Sequence, residues 1–370
     1  MKRLSPGKRI RCIRLQSTRT RHVWRRNRRK LALRRFFRQQ AGVRPPRQGR
    51  PTGGARLAAP QIFTLISPKW RRRLLIFLDD VRHAVRQFKV VTIDLGSVKR
   101  LNPCGTLLFV AELQRLIDTF PHRKLRATRP RDPVVEQLLQ HIGLLKQLGV
   151  KSSLAISHKR VKDWTYHAGT RVDLTSLQAL QNRLIERLGE DLAFDLLSAM
   201  QEAITNAVHH AYIKPRPDGI RCGNEGWWIF AEHNEDGQMY LSVCDLGVGI
   251  RKTLPLRSPW PLQALDSILA RLGRSSDLDA KYIKAALELG ATRTGQGNRG
   301  KGLDEMLELV RSAKSGVLRI FSDRGMYTYN GASGVEKILD YRNSILGTLV
   351  QWSFDLHTLR ARESQDGQND

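Results

Sequence analysis

Residues 201–212 read QEAITNAVHHAY, and this short stretch has the spacing of a helix with one polar face. At about 100° per residue, Glu202, Asn206 and His210 fall within about 80° of one another. The apolar residues of the surrounding segment, from Ala193 to Ala211, gather on the opposite side, where a helix normally packs against a core. The polar face is either a solvated surface or the wall of a binding site, and the other motifs of the chain decide between the two.

The bulk composition indicates a chain with hydrophobic cores and no transmembrane segment. Of its 370 residues 41% are hydrophobic, and no run approaches the roughly 18 to 20 apolar residues that span a bilayer. No apolar segment follows the N-terminal charges, so a secretory signal is not indicated. The four cysteines are far apart and form no C-x-x-C pair, which argues against a zinc site or a disulfide framework. We therefore expect two or three domains and a cytoplasmic location.

The positive charge is concentrated at the N-terminus. The net charge is +30, and residues 1–56 contain 20 Lys and Arg and no Asp or Glu. Such a block repels itself, and we expect it to be disordered alone and to bind polyanions. Nucleic acid is the first candidate partner, through phosphate neutralisation, and an acidic membrane surface is the second. A mitochondrial presequence or a wrongly chosen start codon would give a similar composition.

Composition and periodicity divide the chain into a tail, two folded units and a short polar end. Residues 1–60 form the basic tail and a linker, of which 43–60 is rich in Pro, Gly and Arg. Residues 61–152 contain a buried strand, a short loop and an apolar helix, followed by a second helix that Gly143 would end. This alternation predicts a small α/β unit.

The second folded unit covers residues 173–358, and residues 359–370 form a polar C-terminal tail. The unit contains the helix of the opening stretch, which we expect to end near Tyr212. Two strands then surround a turn, a helical insert follows at about residues 262–289, and strand-like segments close the unit. This order predicts helices on one face of a mixed sheet, an α/β sandwich.

Two glycine motifs in this unit are candidates for a ligand site. The strand that ends LSVCDLGVGI carries Asp245, Gly247 and Gly249, so a carboxylate is followed by backbone that can turn closely around a flat ligand. The stretch TRTGQGNRGKGL at 292–303 leads into a helix, and such a loop presents backbone N–H groups to phosphate. It lacks the Walker A pattern G-x-x-x-x-G-K-[ST].

In their order along the chain, these motifs resemble the ATP-binding domain of the GHKL superfamily, which includes gyrase, the heat-shock chaperone ATPases, histidine kinases and MutL. The order is E-x-x-x-N on a helix, D-x-G-x-G, a helical insert, R-G-K-G-L, and G-T before a strand. The opening stretch is most similar to the anti-sigma-factor serine kinases, in which E-A-x-T-N-A-x-x-H-x-Y recurs and where this chain has EAITNAVHHAY. The resemblance implies a Bergerat-type α/β sandwich and the cofactors ATP and Mg²⁺.

The resemblance also implies roles for the polar face of the helix. Asn206 would coordinate Mg²⁺ through its side-chain oxygen, since Mg²⁺ prefers hard oxygen ligands. Glu202 would be the catalytic residue that activates the attacking water or hydroxyl beside that metal. His210 would line the site, either as an ordinary hydrogen-bonded histidine or as a catalytic one.

The remaining motifs would hold the nucleotide. Asp245 would accept the adenine amino group, and Thr348, after Gly347 at the start of the last strand, would support the base through its hydroxyl or a water. The other positions would let the base approach closely or would close over the phosphates; they are Gly247 and Gly249 in the first motif, and Gly300, Lys301 and Gly302 in the second.

The first unit resembles a STAS domain, the fold of anti-anti-sigma factors and of sulfate-transporter tails. The resemblance lies in the strand VTIDLGSVKRLN, the loop PCG and an apolar helix. STAS proteins typically have D-S-S-G in that loop, with phosphate on the second serine, and this chain places Cys104 at that position. A thiol is a poor stable phosphoacceptor, so we expect Cys104 to be a small buried residue and the unit to be a docking module.

The two resemblances together predict an Mg-ATP-binding regulatory protein, an ATPase or Ser/Thr protein kinase-like switch with a regulatory protein partner in partner-switching signalling. One alternative is a nucleic-acid-associated GHKL ATPase whose tail 1–56 binds DNA or RNA, and another is a nucleotide-binding scaffold that does not hydrolyse ATP. The basic tail favours the first alternative, whereas Glu202 argues against the second. The insert of roughly 45 residues is longer than the lid typical of anti-sigma-factor kinases, so their partners are not carried over.

Overall fold

The computed structural model describes most of the chain after the basic tail. The ranges are 53–172, 177–220, 225–234, 236–256, 262–273, 279–291 and 303–359. Three parts of the predictions therefore lie outside the described residues: nearly all of the tail, the phosphate-closing residues Gly300, Lys301 and Gly302, and the C-terminal tail beyond residue 359. From Thr52 onward the chain forms one compact unit.

The first predicted unit is built on a small parallel sheet. Its elements are β1 (Ala55–Ala58), β2 (Ile62–Phe63), α1 (Pro68–Gln87), β3 (Val90–Asp94), β4 (Arg100–Leu101), α2 (Pro103–Thr119), β5 (Lys124–Ala127), α3 (Pro133–His141), α4 (Leu144–Gln147) and α5 (Lys159–Lys162). The strands pair in the order β1-β3-β5, and β2 pairs with β4. The prediction that residues 43–60 form a linker is wrong for Ala55–Ala58, because these residues form β1 and each pairs with β3. Gly143 follows α3 with a φ of 77°, which confirms the predicted helix end.

The second predicted unit alternates helices with antiparallel strands. Its elements are β6 (Thr165–Gly169), α6 (Gln178–Leu188), α7 (Glu190–Asn206), a π-helix (Ala207–Ala211), β7 (Trp227–His233), β8 (Gln238–Asp245), α8 (Ile250–Thr253), a 3-10 helix (Leu254–Leu256), α9 (Leu262–Arg271), α10 (Asp279–Ala291), α11 (Leu303–Ser312), β9 (Val317–Ser322), β10 (Gly325–Asn330), β11 (Glu336–Asp340) and β12 (Thr348–Asp355). The helix of the opening stretch thus changes from α to π at its last turn.

Within the described residues, seven strands form one sheet in the order β11-β10-β9-β12-β8-β7-β6. Every neighbouring pair is antiparallel, so the prediction of a mixed sheet is wrong. The reason is that β7–β8 and β9–β10–β11 are consecutive strands joined by short turns, and β12 enters between β9 and β8 antiparallel to both. Because β6 belongs to the sheet, the sheet also begins before residue 173, the predicted start of this unit.

The two faces of the sheet belong to two hydrophobic cores. The helices α6, α7, α10 and α11 cover one face, whose core includes Val243 and Val350. The helix α2 of the first unit covers the other face, whose core includes Cys244 and Leu349. The sequence of α2, PCGTLLFVAELQRLIDT, is apolar nearly all round, as expected of a helix that is buried between two layers. The two predicted units therefore share a core.

None of the helices in the described ranges combines the length and the apolar composition that a membrane-spanning segment requires.

Candidate functional site

A cleft of about 640 Å³, counting space open to solvent, lies on the face of the sheet that α7 and α11 cover. Five of the predicted site residues line it together: Asn206, His210, Asp245, Gly249 and Thr348. Its apolar wall includes Val243, Ile250, Leu254, Met306 and Val350. The cleft therefore combines apolar walls with a few polar groups that come from distant segments, which is the usual composition of a small-molecule site.

Asp245 forms the polar floor of the cleft. It ends β8, lies opposite Thr348 of β12 in the sheet register, and is 8% exposed. Its Oδ1 accepts hydrogen bonds from the backbone nitrogens of Gly247 at 2.8 Å and Thr348 at 3.2 Å. Burial raises the pKa of its carboxyl to about 6, against the opposing effect of these bonds. The side chain is thus a fixed, buried hydrogen-bond acceptor whose Oδ2 accepts neither backbone bond.

A serine that the sequence analysis missed connects two sides of the cleft. Ser322 of β9 is 1% exposed and lies opposite Thr348 in the sheet register. Its Oγ accepts a hydrogen bond from the nitrogen of Ile250 at 2.9 Å and lies 3.4 Å from the Thr348 hydroxyl oxygen. Ser322 thereby positions both the turn after β8 and the Thr348 hydroxyl. No local signal marks it, because only the pairing of β9 with β12 brings it there.

The two glycines after Asp245 are required by contacts within the protein. A Cβ at Gly247 would lie 2.1 Å from the carbonyl oxygen of Ala211, so the turn packs directly on the π-helix. Gly249 has a φ of 81°, and a Cβ there would lie 2.5 Å from Oδ2 of Asp323. Gly249 lines the cleft, whereas the close approach at Gly247 is to the protein itself.

The polar face of α7 reaches the same cleft. The side-chain nitrogen of Asn206 donates a hydrogen bond to Oε1 of Glu202 at 2.9 Å. This bond turns the amide oxygen of Asn206, the atom that a metal would need, away from the carboxylate. His210 lies in the π-helix and lines the cleft beside Asn206. Asn206 and His210 therefore line one edge of the cleft, whereas Glu202 is not among the lining residues and is connected to the cleft through its hydrogen bond with Asn206.

The start of α11 borders the cleft as well. Leu303 is its first residue, is buried, and lines the cleft together with Met306. Gly302, the residue that precedes Leu303 in the sequence, lies outside the described residues.

Cys104 lies in the core on the other face of the sheet. It is the second residue of α2, its side chain is fully buried, and burial raises the pKa of its thiol. The prediction that Cys104 is a small buried residue is thus confirmed. The cleft and Cys104 are separated by the sheet, because the walls of the cleft belong to the core on the opposite face.

A buried ionic network, which the sequence analysis missed, joins α2 to the segment that follows the π-helix. Glu112 is 0% exposed, and its Oε1 lies 2.5 Å from NH2 of Arg115 and 3.4 Å from NH1 of Arg82, while its Oε2 accepts from NH2 of Arg216 at 2.8 Å. Burial alone would raise the pKa of Glu112, but the charges of Arg216, Arg82 and Arg115 hold that pKa below its usual range. Arg115 also pairs with Asp218 at 2.9 Å.

The comparisons with known proteins add no assignment. No protein-family model matches the sequence, and no curated protein matches it. The GHKL-like resemblance is therefore a prediction that rests on the motifs and the geometry of the cleft, and the STAS-like resemblance is a prediction that rests on its motif alone.

Proposed function

We propose that the chain binds ATP with Mg²⁺ in this cleft and uses it in a regulatory switch, as an ATPase or a Ser/Thr protein kinase. The observation that carries the proposal is the convergence of Asn206, His210, Asp245 and Thr348, which come from three distant segments, around one cleft. If the polar face of α7 were only solvent-exposed surface, there would be no reason for Asp245 and Thr348 to lie at the same cleft as Asn206.

The floor and walls of the cleft suit adenine. A purine is flat and apolar on its faces, so side chains such as Val243 and Met306 can pack against it. Its amino group is a hydrogen-bond donor, and Asp245 offers a buried acceptor that two backbone N–H groups hold in place. The Thr348 hydroxyl, positioned by Ser322, supplies a further polar group beside that acceptor.

The edge of the cleft suits a phosphate-bound metal. Asn206 would hold Mg²⁺ through its amide oxygen, since a neutral amide and waters satisfy this metal when phosphates supply the remaining ligands. Bound Mg²⁺ supplies positive charge against the phosphate oxygens. Glu202, hydrogen-bonded to Asn206, would accept the proton of the attacking water or hydroxyl one helical turn away from the metal ligand.

The same geometry bears on the choice of phosphate acceptor. Cys104 is buried on the opposite face of the sheet from the cleft, so the STAS-like unit offers no acceptor at that position to its own ATP site. The acceptor in a switch of this kind would be water or a side chain of a separate regulatory protein, with the STAS-like unit as a docking module.

Two substitutions in α7 separate binding from chemistry. Asn206→Ala should remove the Mg-dependent part of ATP affinity, because the metal loses its protein ligand. Glu202→Gln should keep Mg-ATP affinity, since its amide oxygen can still accept from Asn206, but should lower turnover by about 10²- to 10⁴-fold through loss of the base. Calorimetry and release of phosphate from labelled ATP measure the two effects. Unchanged Mg-ATP affinity in Asn206→Ala would contradict the metal assignment.

Binding should also depend on the ionisation of Asp245. Burial raises the pKa of its carboxyl to about 6, above the value of about 3.9 in an unfolded chain. The folded chain without ligand therefore holds this proton more tightly than the unfolded chain does. As a result, the contribution of Asp245 to the free energy of unfolding falls as the pH rises from the unfolded to the folded pKa. An adenine amino group needs the ionised form, so ATP affinity should decrease as the pH falls below about 6. Dissociation constants measured across this range test it, with Asp245→Asn correcting for protonation of ATP itself. Parallel pH profiles for both proteins would exclude the proposed role.

A further inference from the structure

The first two turns of α1 carry an exposed basic patch, which we define as Lys69, Trp70, Arg72 and Arg73. The three cationic side chains are exposed, and Trp70 is partly buried. The Lys69 Nζ lies 5.3 Å and the Arg73 Cζ 4.8 Å from the centroid of the Trp70 ring, so the aromatic ring holds two of the cations on one surface. Among the described residues, no carboxylate forms an ion pair with this patch.

The other arginines of α1 have structural partners. Arg71 is buried and lies 4.3 Å above the ring of Tyr341. Arg82 pairs with Glu112 at 3.4 Å, and Arg86 donates to a backbone carbonyl. The helix thus has two groups of cations: those that contact the rest of the fold, and those that face solvent and form no ion pair with a carboxylate in the described ranges.

We infer that the basic patch of α1 binds the phosphate backbone of nucleic acid. Three cations within two helical turns can each contact a phosphate. Binding is favoured because these contacts release counterions from the nucleic acid. Residues 1–52 precede the patch in the chain and carry 19 Lys and Arg and no acidic residue. A nucleic acid strand long enough to meet both would gain affinity from both. This inference is independent of the proposed nucleotide site.

The exposed apolar surface beside the patch is too small for a membrane partner. Ile66 and Ile76 are only 40% and 39% exposed, and they are separated by the basic residues. The remaining large apolar side chains of α1 are buried in the core, and the Trp70 ring already lies against two cations. An interfacial helix needs a continuous apolar face to insert, and α1 has none to offer.

The test is a salt titration of nucleic-acid binding by the full chain. The triple variant K69E/R72E/R73E is compared with wild type on a fluorescein-labelled random-sequence DNA duplex and on an RNA single strand. Because each phosphate contact contributes about 0.9 to the slope of log affinity against log salt on duplex DNA, we expect the slope to fall by about 2 to 3 units. The neutral variant K69Q/R72Q/R73Q should show the same loss of slope.

A matched control separates the patch from net charge. K124E/K146E/K151E makes the same charge change at three exposed lysines outside α1 and should retain most of the wild-type slope. Thermal melting shows that each variant is folded. Equal slopes for wild type and the α1 variants, or an equal loss in the control, would overturn the inference. Binding to vesicles of phosphatidylserine and phosphatidylcholine that depends on the patch, without binding to nucleic acid, would also overturn it.

Discussion

Glu112→Ala should lower the free energy of unfolding by about 3 to 5 kcal/mol, because it removes the central carboxylate of a buried ionic network and leaves three arginines with only Asp218 and Asp79 as counter-charges. Three guanidinium groups, those of Arg82, Arg115 and Arg216, lie within 3.4 Å of this carboxylate. All three are themselves buried, so water cannot replace the lost charge. Urea unfolding followed by circular dichroism measures the change.

Two controls define the origin of this effect. Glu186→Ala removes an exposed carboxylate of α6 and should change stability by less than about 0.5 kcal/mol. The arginines hold the pKa of Glu112 below its unfolded value, so its contribution to stability is present above that value and is lost as the pH falls toward the folded pKa. Glu112→Gln should therefore show a weaker loss of stability in acid than wild type. A Glu112→Ala protein as stable as Glu186→Ala would show that the network does not hold the two units together.

Asp245→Asn should weaken ATP binding by about 1.5 to 3 kcal/mol, roughly 10- to 150-fold, because a charged acceptor is replaced by an amide that presents a donor. The substitution keeps an oxygen to accept from Gly247 and Thr348, so the turn after β8 should remain folded. The loss should be smaller for GTP, whose base has a carbonyl where adenine has an amino group. Calorimetric titration with both nucleotides measures the change.

The first unit provides a closely matched control for this substitution. Asp94 also ends a strand in a D-L-G sequence, and its Oδ1 accepts from the nitrogen of Gly96 at 3.0 Å. Asp94→Asn repeats the same chemical change at the same kind of turn, away from the residues that line the cleft. It should leave ATP affinity unchanged. An equal loss of affinity in both variants would show that the effect is structural.

The sequence predicted those features of the site that follow from local periodicity. The four-residue spacing predicted that Asn206 and His210 share one edge of the cleft, and they do even though the last turn is a π-helix; Glu202 is hydrogen-bonded to Asn206 but does not line the cleft. The D-L-G-V-G motif predicted a carboxylate at a strand end followed by a tight turn, and Asp245 has that geometry. Both arguments need only the neighbouring residues.

Features that depend on distant partners could not be predicted in this way. Glu112 looks like an isolated acidic residue in the apolar part of a helix until Arg216, more than a hundred residues later, is placed beside it. Ser322 acquires its role only through strand pairing. The strand β1 has just four residues within a Pro- and Gly-rich segment, and its pairing with β3 prevails over that composition. The placement of β12 between β9 and β8 likewise follows from tertiary packing.

Binding of Mg-ATP in the cleft, with adenine at Asp245, is tested most directly by calorimetric titration of the full chain. The titrations use ATP and GTP, each with and without Mg²⁺. We expect one saturable site that prefers ATP to GTP and binds ATP more tightly when Mg²⁺ is present. Absence of saturable ATP binding, or equal binding of ATP and GTP in the wild-type protein, would contradict the account.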